Sequence, residues 1–320
     1  MNHGTGVLME PVVLVGAGRA GRALAAAFRA AGLSHALVDR EQVVEQYGQP
    51  LLASRADAVR HAPVVLVAVR DGQIDIALDE LRLRDGLQPG SVVLQVSGSA
   101  EPAARERIAA FGVHYGTFHP LLPLIDPSLA SFRLQGSVIG IEGDVPAHAV
   151  ALQLAVRLGA TTIVIPREER AAYHAAAVMA SNFPVTLAAL AEGLLSRIGV
   201  DSVAAHRAVR ALMAASVENL AAMPRALDAL TGPIARGDVA TVRAHTTALH
   251  GTRPYHDVYE VVSRATLALM RERGDDPHLV QAMETALDAD GASYVRTDDP
   301  VTEVGADLKL GLTDDLTLDL

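Results

Sequence analysis

Three glycines near the start of the chain have the spacing that binds a dinucleotide. Gly16, Gly18 and Gly21 follow a short apolar run, residues 11–15, as in a G-x-G-x-x-G turn between a buried strand and a helix. The first glycine permits the tight turn, the second lets the backbone approach a pyrophosphate, and the third lets the helix pack on the strand. The N-terminus of a helix also favours a phosphate. The alternative is a glycine-rich turn in another kind of α/β protein. We expect the pyrophosphate to be bound by Gly16, Ala17, Gly18, Arg19, Ala20 and Gly21.

A second candidate contact lies at the end of the next predicted strand, residues 36–39. Asp39 follows Gly21 by 18 residues, close to the spacing of about 20 residues at which an acid binds the adenosine ribose. Such a carboxylate favours NAD, because it repels the 2′-phosphate of NADP. Arg40 comes next and offsets that repulsion if it turns toward the phosphate. A solvated strand end is the alternative for Asp39.

Two further loops are expected beside the cofactor because ligands of open α/β sheets bind beyond the carboxyl ends of the strands. One predicted strand ends at Val69 and leads to Asp71, and the next leads to Ser97 and Gly98. The serine hydroxyl can bind the nicotinamide ribose or a substrate, although a serine-capped turn is an equally good interpretation. The pattern is not the G-x-S-x-G turn of a serine hydrolase.

The composition excludes several classes of protein. The formal charge of −10 argues against general nucleic-acid binding, and the absence of cysteine excludes disulfides and thiolate metal sites. His114 and His119 lack the spacing of a metal pair, so no metal is predicted. No uninterrupted apolar run reaches 18 residues and no signal peptide is recognisable. We therefore expect a cytoplasmic protein without a membrane partner.

The second half of the chain has helical rather than strand periodicity. Helices are predicted over residues 167–198, 202–223, 239–248, 255–272 and 279–287, with a kink at Pro184. The fold class is therefore α/β, with a Rossmann-type, mostly parallel sheet covered by helices on both faces and an all-α C-terminal domain. The expected domains are residues 1–166 and 167–299. An acidic tail, residues 300–320, forms either a small hairpin or a disordered segment.

Five segments together resemble a bacterial family in which a Rossmann-like domain precedes a helical domain of unknown function. They are residues 16–21, 96–99, 118–121, 173–182 and 231–238. Members are described as NADP oxidoreductases, and the chain is more distantly similar to ketopantoate reductase, 3-hydroxyisobutyrate dehydrogenase and pyrroline-5-carboxylate reductase. The resemblance implies NADP or NAD as cofactor, a homodimer, and a small anionic substrate with a carbonyl or imine group.

The resemblance to ketopantoate reductase also implies where a proton donor lies. That family carries Lys-x-x-x-Asn-x-x-x-Asn-Pro on its first long helix after the Rossmann domain, and the lysine protonates the carbonyl as hydride arrives. Here His174, Val178 and Asn182 have this spacing on one helical face, with histidine in place of the lysine and valine in place of the first asparagine. Lys309 is the only lysine in the chain. A histidine can exchange a proton near neutral pH, so His174 is expected to be the donor and Asn182 to orient the substrate; a structural histidine is the alternative.

Arg236 is the expected partner of an anionic substrate. Its planar guanidinium suits a carboxylate, and Gly232 and Gly237 flank it; an ion pair within the protein is the alternative. Taken together, the residues predict an NAD(P)H-dependent oxidoreductase. The rival predictions are a cofactor-binding sensor that catalyses nothing and a Rossmann enzyme without redox chemistry.

Overall fold

The computed structural model describes residues 10–40, 42–50, 52–123 and 129–288. The predicted tail, residues 300–320, and its hairpin lie outside the described residues. Contacts between residues divide the chain into two compact units, the first running to Leu187 and the second beginning at Ala188.

The first unit is built on one sheet. Its eight strands, among the described residues, are β1 (Val12–Val15), β2 (His35–Asp39), β3 (Gln42–Tyr47), β4 (Val64–Val67), β5 (Val92–Gln95), β6 (His114–Pro120), β7 (Val138–Gly143) and β8 (Thr161–Val164). They are ordered β3-β2-β1-β4-β5-β6-β7-β8. β1 pairs in parallel with β2 and β4, which confirms the predicted Rossmann-type sheet.

Two strand pairs are antiparallel. β3 runs antiparallel to β2 at one edge, and β7 runs antiparallel to β6. β3 is an addition to the sequence prediction, which had no strand between residues 40 and 60. Its sequence, Gln-Val-Val-Glu-Gln-Tyr, is largely polar and its residues are only partly buried, so it lacks the continuous apolar run of a central strand.

The side chains of the central strands alternate between two cores. Val12 and Leu14 point into one core, and Val13 and Val15 point into the other, as the two-residue period of a strand requires. The first core is covered by α1 (Arg19–Ala30), α5 (Ala130–Leu134) and α6 (Val145–Arg157). The second is covered by α2 (Arg55–Arg60), α3 (Ile74–Leu83) and α4 (Ala104–Ala110). The predicted helical cover on both faces is confirmed.

The remaining chain is helical, as predicted. Its helices are α7 (Arg170–Arg197), α8 (Ser202–Ala222), α9 (Pro233–Arg236), α10 (Val239–Leu249), α11 (Tyr255–Arg273) and α12 (Pro277–Asp288). Asp201 and Asp238 cap α8 and α10 by accepting backbone N–H groups. In the second unit α10, α11 and α12 enclose a core that includes Val242, Met270 and Met283.

Helix α7 is one element of 28 residues with Pro184 inside it. Its first part, up to Leu187, belongs to the unit that contains the sheet. The structural division therefore lies within α7, whereas the sequence-based boundary lies at residues 166 and 167 and stays a prediction. The physical reason for the difference is that Arg170 and Tyr173 attach the start of α7 to β7 and β6.

Candidate active site

The glycine turn has the geometry that its sequence predicts. Gly16 has a φ of +112°, and a Cβ atom there would lie 2.6 Å from the carbonyl oxygen of Ala68. A Cβ atom at Gly21 would lie 1.8 Å from the carbonyl oxygen of Gly16. Both positions therefore require glycine, the first for its backbone angle and the close neighbour, the third for the approach of α1 to the turn.

Gly18 differs from Gly16 and Gly21 because open space surrounds the position that a side chain would occupy. A Cβ atom there would meet nothing within 4 Å, and the φ of −73° is accessible to any residue. Gly18 is the N-cap of α1 and makes no side-chain cap, so the first N–H groups of the helix, at Arg19, Ala20 and Gly21, have no partner within the helix. The side chain of Arg22 donates to the carbonyl of Ala17 at 2.9 Å and braces the turn. This arrangement leaves room for a pyrophosphate.

The expected adenosine site lies at the carboxyl end of β2. Asp39 and Arg40 are exposed, and Asp39 Oδ1 accepts the backbone N–H of Arg40 at 3.0 Å. Arg40 has a φ of +22°, and its carbonyl oxygen accepts a hydrogen bond of 2.7 Å from Arg55 Nη1. Arg55 is buried and pairs with Asp85 at 2.8 Å and with Glu80 at 3.2 Å. Sequence analysis did not identify Arg55, whose contact with Arg40 spans 15 residues.

The loops after β4 and β5 meet, as their positions in a parallel sheet predict. The Ser99 hydroxyl donates to Asp71 Oδ2 at 2.9 Å. The Ser97 hydroxyl accepts the backbone N–H of Ala100 at 3.0 Å, as in a serine-capped turn. Val69 lies against the glycine turn: a Cβ atom at Gly16 would lie 3.0 Å from Val69 Cγ1. The contacts of Ser97, Gly98 and Asp71 with a cofactor stay predictions.

A histidine and a tyrosine form a hydrogen bond at the carboxyl end of β6. His119 Nδ1 lies 2.7 Å from the hydroxyl oxygen of Tyr173 on α7. The space is closely filled, because a Cβ atom at Gly98 would lie 2.7 Å from the His119 ring and one at Gly140 would lie 2.2 Å from the Tyr173 hydroxyl. Two glycines thus make room for this pair. The residue spacing on α7 indicates His174 and gives Tyr173 no role.

Burial keeps both members of this pair uncharged at neutral pH. It lowers the pKa of His119 to about 4, and the neighbouring His174 and Arg170 act in the same direction. Burial also raises the pKa of Tyr173 to about 12. The arrangement that fits two neutral groups has the tyrosine hydroxyl donating to Nδ1 and the ring proton on Nε2 of His119.

His174 lies beside this pair. The ring centroids of His119 and His174 are 6.0 Å apart. The residue is half-buried, and its Nδ1 atom is buried without a hydrogen-bond partner among the described residues. A buried polar atom without a partner costs about 1–3 kcal/mol, a cost that is removed when a bound group supplies the missing hydrogen bond.

Asn182 and Arg236 are both exposed. Asn182 lies two helical turns beyond His174 on α7, with its Oδ1 atom 2.9 Å from the Ser181 hydroxyl. Arg236 ends the short helix α9 in the second unit, between Gly232 and Gly237, which have φ values of +95° and +70°. The meeting of Arg236 with His174 and Asn182 stays a prediction. Asp238 caps α10, and hydrogen bonds from Thr241 lower the pKa of its carboxylate.

A buried ionic cluster that sequence analysis missed supports the start of α7. Glu142 on β7 accepts from Arg105 at 2.8 Å and from Arg170 at 2.5 Å. Glu142 and Arg170 are buried, and the Arg105 side chain is 14% exposed. The one signal in the sequence was an acid, Glu142, at the end of an otherwise apolar strand. An open cleft of about 470 Å³ lies beside the cluster, lined by Ser99, Glu101, Arg167, Glu168, Arg170 and Ala171.

The described residues contain no group of three or more histidine or carboxylate side chains that could hold a metal ion.

Two family models match the chain. Residues 11–98 match the model described as NADP oxidoreductase, coenzyme F420-dependent. Residues 137–266 match a domain of unknown function, DUF2520. The chain is an NAD(P)-dependent oxidoreductase. It carries the two domains in the order that the sequence resemblance indicated, and its cofactor is NADP or NAD.

Solved structures show that the fold of this oxidoreductase is shared. Protein TM1727 from Thermotoga maritima is 23% identical, with a TM-score of 0.61 over 88% of this chain and 100% of that one. BF3122 from Bacteroides fragilis, provisionally described as an NADP oxidoreductase, is 20% identical, with a TM-score of 0.60 over 80% of this chain and 97% of that one. A reductive aminase from Aspergillus terreus, in complex with NADPH and ethyl-5-oxohexanoate, is 16% identical, with a TM-score of 0.52 over 88% and 94%. No curated protein matches the chain.

Proposed function

We propose that this oxidoreductase uses NADPH or NADH to reduce a small carbonyl or imine compound that carries a carboxylate, such as a 2-oxo acid similar to ketopantoate. The proposal extends to a cytoplasmic enzyme that works as a homodimer. The observation that carries it is the position of His174, whose buried Nδ1 atom lacks a partner beside the neutral His119–Tyr173 pair.

The residues of the first unit fit a bound dinucleotide. Gly18 leaves open space at the start of α1, where unpaired N–H groups suit a pyrophosphate. In this proposal Asp39 and Arg40 contact the adenosine ribose, and the loops at Asp71 and Ser97 contact the nicotinamide ribose, as the carboxyl ends of the strands do in Rossmann folds. The bound cofactor supplies hydride. The remaining task of the protein is to hold the substrate and to deliver a proton.

We assign that proton to His174 by comparing the three candidate donors. Reduction of a carbonyl places negative charge on its oxygen, which a nearby acid must neutralise. With a pKa of about 4, His119 is unprotonated at neutral pH, and with a pKa of about 12, Tyr173 is a weak acid. Tyr173 and His119 are instead hydrogen-bonded to each other. We therefore assign the proton transfer to His174.

Asn182 and Arg236 are assigned to binding. Asn182 shares a face of α7 with His174, and its exposed amide can hydrogen-bond to the substrate or to the carboxamide of nicotinamide. Arg236, whose guanidinium is exposed, can hold a carboxylate through two parallel hydrogen bonds.

The experiment is a titration followed by a substrate panel. The purified protein is titrated with NADPH, NADH and coenzyme F420 by fluorescence. It is then assayed for oxidation of the bound nicotinamide with a panel of 2-oxo acids and cyclic imines. We expect binding of NADPH or NADH and turnover of at least one panel member. Tight cofactor binding without turnover of any carbonyl or imine would instead support a sensor.

A further inference from the structure

The imidazole of His119 lies against the loop that follows β5. β6 pairs in parallel with β5, and the register places Thr117 beside Gln95, the last residue of β5. His119 is therefore level with Ser97 and Gly98, where the proposed function places the nicotinamide ribose. A Cβ atom at Gly98 would lie 2.7 Å from Nδ1 and from Cε1 of His119. The ring can occupy this position because Gly98 has no side chain.

The hydroxyl of Tyr173 sets which ring nitrogen of His119 carries the proton. This hydroxyl lies 2.7 Å from Nδ1, and it packs so closely on β7 that a Cβ atom at Gly140 would lie 2.2 Å from it. A phenol is a stronger acid than a neutral imidazole, so the hydroxyl donates and Nδ1 accepts. The ring proton is then on Nε2, which makes that atom a hydrogen-bond donor.

The Nε2 atom of His119 is available to a ligand. The residue is partly exposed, and among the described residues the hydrogen bond of its ring is the one at Nδ1. Unlike Nδ1 of His174, Nε2 of His119 is not a buried atom without a partner. An N–H group whose direction is already fixed is the kind of donor that stabilises charge as it develops on a substrate oxygen.

We propose that Nε2–H of His119 hydrogen-bonds to the carbonyl oxygen of the substrate, and that Tyr173 is the positioning residue that holds this tautomer. The inference rests on the proposed function and adds a second group at the reacting oxygen. Reduction adds a hydride to the carbonyl carbon and a proton to the oxygen. His174 gives that proton, and His119 keeps its own.

The two imidazoles are close enough to share one oxygen atom. The ring centroids of His119 and His174 lie 6.0 Å apart, so an oxygen between the rings can come within hydrogen-bond distance of both. All the residues in this arrangement belong to the first unit. His119 holds the oxygen while His174 delivers the proton to it.

His119 suits this role because it stays uncharged. Burial lowers its pKa to about 4, and His174 and Arg170 act in the same direction, whereas Asp71 raises it. A neutral imidazole donates a hydrogen bond to a carbonyl oxygen without giving up its proton, as neutral imidazoles do at other sites where a carbonyl is polarised.

The contact narrows the class of substrate. A carbonyl oxygen has lone pairs that accept a hydrogen bond from an N–H group. A protonated imine has an N–H and a positive charge in place of a lone pair, so it presents nothing that Nε2–H can bind. We therefore expect carbonyl compounds to be reduced in preference to protonated cyclic imines.

A purely structural role is the alternative, because the same hydrogen bond attaches α7 to β6. That role needs only an acceptor for the Tyr173 hydroxyl, at the position of Nδ1. The proposed role also needs a donor at the position of Nε2. In His119→Asn the amide lies near the position of Nδ1, whereas in His119→Gln the longer side chain carries its N–H groups to the position of Nε2.

The kinetic test compares these two variants. With the best carbonyl substrate of the panel, His119→Asn should lower kcat by roughly 10²- to 10³-fold, and His119→Gln should recover most of that loss. His114→Asn, at the other end of β6, is the control and should keep the wild-type kcat. Circular dichroism and thermal melting confirm folding. Equal losses in His119→Asn and His119→Gln would show that the role is structural and would overturn the inference.

A second measurement uses the wild type and needs no turnover. Two-bond proton–nitrogen correlation spectra of protein with isotope-labelled histidine report which ring nitrogen is protonated, and the signals missing from His119→Gln identify His119. We expect the Nε2–H tautomer in the wild type and a mixture of tautomers in Tyr173→Phe. Oxamate, an unreactive amide with the shape of a 2-oxo acid, should shift the Nε2–H signal when it is added with NADP⁺. The Nδ1–H tautomer, or a signal that oxamate leaves unmoved, would contradict the inference.

The outcomes separate this inference from the proposed function. A wild type that turns over no member of the panel rejects the proposed function, and the oxamate shift then decides the inference. Nearly full turnover in a folded His119→Asn variant overturns the inference and leaves the proposed function standing. Reduction of protonated cyclic imines, with no reduction of any carbonyl compound, would also overturn it.

Discussion

Tyr173 and His119 lie 54 residues apart in the sequence, yet the tyrosine hydroxyl is 2.7 Å from His119 Nδ1. This hydrogen bond joins the first turn of α7 to the carboxyl end of β6. It places His174, the next residue along α7, beside the edge of the sheet where dinucleotides bind in Rossmann folds. The bond also pairs His119 with Tyr173, two of the three groups that could transfer a proton, and leaves His174 as the third.

The first prediction concerns the dinucleotide turn. Gly18→Val should abolish binding of NADPH and NADH while the protein stays folded, because the new side chain enters open space that a pyrophosphate would need. The matched control is Gly21→Ala, which should instead lower the melting temperature, because its Cβ atom would overlap the Gly16 carbonyl. Fluorescence titration and thermal melting measure the two effects. Full cofactor affinity in a folded Gly18→Val variant would show that the turn does not hold the pyrophosphate.

The second prediction concerns cofactor preference. Asp39→Ser should shift the ratio of affinities toward NADPH by roughly 10- to 1000-fold, because the carboxylate no longer repels a 2′-phosphate. Arg40→Ser should shift the ratio in the opposite direction if Arg40 meets that phosphate. Both ratios come from titrations with NADPH and NADH. An unchanged ratio in Asp39→Ser would mean that residues outside this loop determine the preference between NADPH and NADH.

The third prediction follows from the burial of His119. Its pKa of about 4 lies below the value of 6.5 that the unfolded chain has, so between these pH values the unfolded state binds more protons. The free energy of unfolding should therefore fall as the pH is lowered from about 6.5 toward 4, by on the order of 3 kcal/mol. His119→Asn should remove much of this slope, whereas His114→Asn, whose side chain is 37% exposed beside Asp144, should keep it. Urea unfolding at several pH values is the measurement, and equal slopes in the two variants would contradict the assignment.

The fourth prediction concerns the ionic cluster beneath α7. Glu142→Ala leaves the buried guanidinium of Arg170 and the largely buried one of Arg105 without their shared carboxylate, and should lower the free energy of unfolding by about 3–5 kcal/mol. Glu101 is more exposed, and Glu101→Ala should cost about 1 kcal/mol or less. Urea denaturation of both variants provides the comparison. Similar losses would mean that the buried cluster has no special role in holding α7.

Much of the fold could be predicted because its signals are local. The buried strands are continuous apolar runs such as Val12–Val15 and Val64–Val67, and Asp201 and Asp238 stand at helix starts in the sequence as they do in the structure. β3 is not predicted from the sequence because this edge strand has no continuous apolar run. The division of the contacts within α7 has no signal in the periodicity, and the domain boundary at residues 166 and 167 stays a prediction.

The candidate site was predictable only where the chemistry lies in one segment. The glycine turn is such a case. Gly16 and Gly21 are each required by a close contact with other backbone atoms, but their fixed spacing can be read from one segment of the sequence. The bonds from Tyr173 to His119 and from Arg55 to Arg40 cross between elements, so no spacing reveals them. The roles of His174, Asn182 and Arg236 stay predictions, because they concern a ligand that only experiment can supply.

The central claim is that His174 donates the proton during reduction, and the turnover of His174→Gln tests it most directly. With the best substrate from the panel, we expect kcat to fall roughly 10²- to 10⁴-fold while the affinity for NADPH hardly changes. His114→Gln, at the opposite end of β6, should keep its activity. Nearly full activity in His174→Gln, at unchanged affinity for NADPH, would contradict the account.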